Sequence, residues 1–135
     1  MSSTSDEKSA QRYTLELDHE LKLIRYKHIG LIEEKDINVV WVKLLEMKEF
    51  TDQKYNLLSD YTQGKFNIQP QELPTILEFM RNIEHIIRGK KQALVVSEPL
   101  TVAISVLFQI EIRKEVGFNV KIYSSVKNAL EWLSV

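Results

Sequence analysis

The 135-residue chain contains no cysteine, which excludes disulfides, thiolate metal sites and cysteine nucleophiles. An excess of one charge is also missing. Eighteen Lys and Arg face nineteen Asp and Glu, and the formal net charge of -1 supplies no global field to attract nucleic acid or an anionic membrane. No apolar run reaches the roughly 18 residues of a spanning helix, and "MSSTSDEKSAQR" lacks the apolar central block of a secretory signal. The expectation is a soluble, cytoplasmic protein that binds no nucleic acid and inserts into no membrane. There is no GxGxxG, GxxxxGK[ST] or GxSxG, and His19, His28 and His85 lack metal-ligand spacing. No catalytic residue, metal or cofactor is therefore assigned, and the chain is read as non-enzymatic.

What the chain does have is 44% apolar residues, enough for one compact domain. Residues 1–11 are small, polar and Ser-rich and are expected to be a disordered tail, leaving a single domain over 12–135. Tyr13, Leu15 and Leu17 alternate with polar residues, and the segment from Leu21 to Ile29 is rich in strand formers, so an antiparallel hairpin is predicted. A first helix is predicted from Glu33 to Glu49, with Ile37, Val40, Trp41, Leu44 and Met47 on one face. "YNLLSDYT" reads as a strand. A second helix beginning near Pro74 buries Leu73, Ile76, Leu77, Met80, Ile83 and Ile87 and stops at Arg88 and Gly89. "QALVVS" and "NVKIYS" are two further strands, and "SVKNALEWLSV" is a closing helix capped by Ser124 or Ser125.

The stretch "TVAISVLFQIEIRKEV" fits both a strand period and a helical one. Its flanks favour helix: Ser97 as cap, Pro99 in the first turn, Arg113 and Lys114 in the last, and Gly117 as a left-handed terminal residue. On a helix over Glu98–Val116, Leu100, Ala103, Val106, Leu107 and Ile110 are expected to face the sheet. Ile104, Phe108 and Ile112 then form a second stripe, which Phe79 and Ile86 of the preceding helix could extend into an interaction surface.

Strands joined through helices cross over with right-handed sense, which predicts an α/β fold: a mostly parallel five-stranded sheet, an N-terminal antiparallel hairpin and four helices. The order of elements, with "YNLLSDYT" ending in Asp60, "QALVVSEPL" leading into an apolar helix and the closing "VKIYSSVKNALEWL", resembles the SpoIIAA-like proteins of the STAS and Sec14-type group over about Tyr13 to Leu133. That resemblance implies a small regulatory or scaffold module. Anti-sigma-factor antagonists of the group are switched by phosphorylation of a serine at a helix start. The matching stretch here, "DYTQGKFNIQPQEL", holds no serine and only Thr62 as an aliphatic hydroxyl, so the switch is not carried over.

In open α/β sheets, ligands gather outside the carboxyl ends of strands, which selects Asp60, Thr62, Ser97 and Ser124 as a candidate ligand or regulatory loop region. Serines and acids are also the ordinary caps of helices. Together these readings predict a STAS-like protein-interaction module that self-associates as a homodimer or meets another protein. The alternative is a domain that takes a small molecule or lipid in an apolar pocket between its helices.

Overall fold

The structure, a computed structural model, describes residues 12–135, so the expected polar tail lies outside the described residues. The hairpin is formed by β1 (Tyr13–Asp18) and β2 (Leu23–His28), paired antiparallel with Tyr13 opposite His28. A short β3 (Gly30–Ile32) leads into α1 (Glu34–Leu45) and a one-turn α2 (Lys48–Thr51). Next come β4 (Asn56–Asp60), a short β5 (Gly64–Phe66), α3 (Leu73–Asn82) and α4 (Glu84–Ile87). The chain closes with β6 (Lys91–Val95), α5 (Pro99–Glu115), β7 (Asn119–Tyr123) and α6 (Val126–Leu133).

The main sheet has five strands in the order β1-β2-β4-β6-β7, and every neighbouring pair after the hairpin is parallel. This is the α/β architecture expected, with two differences in detail. The first and second helices are each broken in two, at Met47 and at Ile83, giving six α-helical segments among the described residues. Neither break carries Gly or Pro, so the apolar period runs through both and hides them from a sequence reading. The second difference is a separate parallel pair, β3 with β5, beside the sheet. Gly64 makes that pairing possible, because a Cβ there would stand 2.6 Å from Ile32 Cδ1 and 3.0 Å from the His28 carbonyl oxygen.

Alternation along the strands divides the core into two layers. Ile24, Tyr26, Leu57, Leu94 and Val120 face one side, where α1, α3 and α5 cover them with Val40, Trp41, Leu77, Met80 and Ile112. Leu23, Leu58, Ala93 and Val95 face the other, where α6 supplies Ala129 and Leu133.

The expected rotation of α5 is wrong. Ile104, Phe108 and Ile112 are buried in the larger layer, whereas Leu100 and Ile110 are 48% and 46% exposed and Ala103, Val106 and Leu107 face outward with them. Apolar residues surround this helix, so their pattern alone could not choose a face. Thr101 chooses it: its fully buried hydroxyl accepts from Phe66 N at 2.9 Å and donates to Glu98 Oε2 at 2.8 Å. With Thr101 turned inward, helical spacing carries Ile104, Ser105, Phe108 and Ile112 to the same side. Phe79 and Ile86 are also half-buried against the larger layer, with Phe79 edge to face with Trp41 at 6.4 Å, so they do not extend an outer surface of α5.

Candidate functional site

The carboxyl edge of the sheet collects what the sequence placed there. Parallel register sets Asp60 beside Val95 and Val95 beside Tyr123, so the loops after β4, β6 and β7 share one edge. Asp60 Oδ1 accepts from Thr62 N at 2.9 Å and from the Thr62 hydroxyl at 2.7 Å, closing its own turn. Ser97 Oγ donates to the Thr62 carbonyl oxygen at 3.4 Å and ties the β4 and β6 loops together. Ser124 stands exposed at the same edge, one residue before Ser125, whose Oγ accepts from Asn128 N and caps α6.

Helix N-termini at this edge are occupied from within. The cap of α5 is Glu98 rather than Ser97: its carboxylate accepts from Thr101 N at 2.8 Å and from Leu100 N at 3.2 Å. Those bonds, from the Thr101 backbone first and its side chain second, hold the Glu98 carboxyl below its ordinary range. An incoming anion would have to displace a carboxylate already seated on the free N–H groups. At the other end of α5, Val116 is extended, and the left-handed glycines are Gly30 and Gly89, not Gly117.

Behind that edge, between α1, α3, α5 and the sheet, lies a cleft of about 50 Å³. Trp41, Phe66, Met80, Leu94, Ile104 and Phe108 supply most of its apolar wall. Ile76 is half-buried and the other lining residues are buried, which puts the opening on the Ile76 side of α3. Two buried polar atoms in the lining, Gln92 Oε1 and Ser105 Oγ, have no hydrogen-bond partner among the described residues.

A run of buried polar groups leads from the cleft across the sheet. Gln92 Nε2 donates to Ser59 Oγ at 3.0 Å. Tyr61, in the cleft wall, meets Tyr26 edge to face at 5.5 Å, and the Tyr26 hydroxyl lies 2.6 Å from His28 Nδ1. Burial, the largest cause in each case, raises the pKa of both tyrosines and lowers that of His28, so all three are held in their neutral forms. β2 is an interior strand of the sheet, and His28 on it is 2% exposed.

Gln92 and Ser105 were not singled out from the sequence. A signal existed for Ser105, a serine inside "AISVLF" that interrupts an apolar run at a position whose face only the tertiary structure reveals, whereas Gln92 follows two lysines and merely opens its run.

A five-stranded sheet led by an antiparallel hairpin, parallel thereafter and backed by helices in this order, has known counterparts. The chain superposes on an uncharacterized protein of the DUF3478 family with a SpoIIAA-like fold from Shewanella loihica PV-4, with a TM-score of 0.57 and 13% identity, over 90% of this chain and 91% of that one. It also superposes on the anti-sigma factor antagonist SpoIIAA in its unphosphorylated form, with a TM-score of 0.54 and 13% identity, over 90% of this chain and 96% of that one. The chain has a SpoIIAA-like fold. No family model matches the sequence. No curated protein matches it either. At this identity the SpoIIAA-like likeness fixes the arrangement of elements, while roles for individual side chains rest on the geometry above. Among the described residues, no helix is long and apolar enough to cross a membrane.

Proposed function

We propose that this chain is a non-enzymatic, cytoplasmic regulatory module that acts through protein contacts and pairs with a second copy of itself along the outer face of α5. The observation that carries the reading is the stripe Leu100, Ala103, Val106, Leu107 and Ile110, exposed together on one side of a single helix. Scattered apolar residues on a surface are ordinary, but a contiguous stripe over three turns is the kind of patch that another protein covers. SpoIIAA-like kinship with a regulatory protein, the anti-sigma factor antagonist, supports a partner-binding role.

A second copy fits this stripe for two reasons. Spacings of three and four residues make it self-complementary, and Ala103 near its middle allows close approach of two helix axes. Glu98 opens the helix while Arg113 and Lys114 close it, so antiparallel, two-fold pairing sets an acidic start against a basic end and opposes the helix dipoles.

Light scattering from low to high micromolar concentration tests the proposal. A dimer that becomes monomeric in Leu107→Asp supports it. A strict monomer at high concentration, unchanged by that substitution, overturns it.

The other reading, a pocket for a small molecule or lipid, uses a different surface. Ser105 and Leu107 are about 160° apart around an ideal helix, so cleft and stripe do not compete.

A further inference from the structure

We propose that the cleft between α1, α3, α5 and the sheet binds a small neutral amphiphile, an alcohol or primary amide with a short apolar body, whose head group meets Gln92 and Ser105. Burying a polar atom without a partner is costly, and native interiors hold few such atoms. Here two occur in the wall of one apolar cavity, on Gln92, 3% exposed, and Ser105, 1% exposed. Gln92 is held in place by its own amide, which donates to Ser59, so its free carbonyl oxygen is fixed rather than searching for a partner. Ser105 is carried inward by the rotation that Thr101 imposes on α5. The two groups come from an interior strand and from the helix packed over it, a rigid frame for a head group.

Their chemistry selects the ligand. An amide oxygen accepts, and a serine hydroxyl both donates and accepts, so a hydroxyl or carboxamide satisfies both at once. A carboxylate or phosphate is disfavoured, because among the described residues no Lys, Arg or His lines the cleft and an unpaired buried anion pays a heavy desolvation penalty. Tyr61 adds no charge, since burial raises its pKa and keeps the phenol neutral. Size narrows the choice further. The 50 Å³ interior is well below the roughly 150 Å³ of a dry cavity that takes benzene. It accommodates a head group with a few carbons, and any longer tail leaves past Ile76.

Titration of the full chain, followed by ¹H–¹⁵N correlation spectra, tests this with 1-butanol, 1-hexanol and hexanoate as probes at pH 7.5. The proposal expects saturable shifts at Gln92, Leu94 and Ser105, 1-hexanol binding within about threefold of 1-butanol because the added methylenes lie past Ile76, and no saturable binding of hexanoate. Ser105→Ala deletes an unpartnered hydroxyl and so leaves the fold intact, and it should weaken 1-hexanol at least threefold. Nuclear Overhauser contacts from the alcohol chain should reach the Met80 methyl group and not those of Leu107. Equal affinity in the wild type and Ser105→Ala, hexanoate binding as tight as hexanol, or non-saturating shifts spread along Leu100–Ile110 would each overturn the proposal. So would persistent water signals at Ser105 in saturating hexanol, which would make the two atoms a site for bound water alone. None of these results depends on whether α5 pairs with a second copy.

Discussion

Lys90 Nζ donates to the Tyr55 carbonyl oxygen at 3.0 Å and lies 4.5 Å from the centroid of the Phe50 ring, with the side chain almost entirely buried. Burial, assisted by the charge of Lys54, pushes its pKa down to about 8. Between that value and the ordinary lysine range the unfolded chain binds a proton that the folded chain releases, so stability should rise with pH across this window. Above about pH 10 the trend should reverse, because Tyr26 and Tyr61 keep protons in the fold that free tyrosines lose. Urea midpoints from pH 7.5 to 10.5 should show the rise in wild type and a flat profile up to pH 10 in Lys90→Met. A wild-type profile already flat would contradict the assignment.

His28 should act in the same sense at low pH. Its ring is buried, lies tilted against Tyr13 at 5.8 Å and bonds to the Tyr26 hydroxyl, and burial lowers its pKa. As pH falls below about 6.5 the unfolded chain takes up a proton that the folded site refuses, and stability declines. His28→Gln keeps a polar partner for Tyr26 without a titrating ring. The loss of stability between pH 7 and pH 5 should shrink in this variant, as read from denaturation midpoints at the two values.

The two faces of α5 should separate cleanly on mutation. Phe108 fills the larger core layer, so Phe108→Ala should cost about 3–5 kcal/mol, measured by urea unfolding. Leu107 is 42% exposed, and Leu107→Asp should shift stability by less than about 1 kcal/mol while changing the state of association. The reverse ranking would restore the rotation first expected from the sequence.

Glu98 is the cap of α5, and Glu98→Ala should lower the melting temperature. Ser97→Ala should cost less, because Ser97 makes only the 3.4 Å bond to the Thr62 carbonyl oxygen. Thermal melts of the two variants side by side decide which residue starts the helix.

The composition and periodicity of the chain by themselves determined its α/β class, its five main strands and the helical nature of the segment around Val106. Those features follow from local spacing, caps and length, and each leaves a mark within a few residues. The collection of Asp60, Thr62, Ser97 and Ser124 at one edge was also legible, because parallel crossover connections leave little freedom in where strand ends fall. Tertiary structure alone decided the rotation of α5, since its apolar residues point both ways and the deciding contact, Phe66 N to the Thr101 hydroxyl, joins residues 35 positions apart. It alone brought Gln92 and Ser105 into one cleft and put His28 inside the sheet. A polar residue in an apolar run announces that something must satisfy it, but the partner, or the lack of one, comes from whichever distant element packs against it.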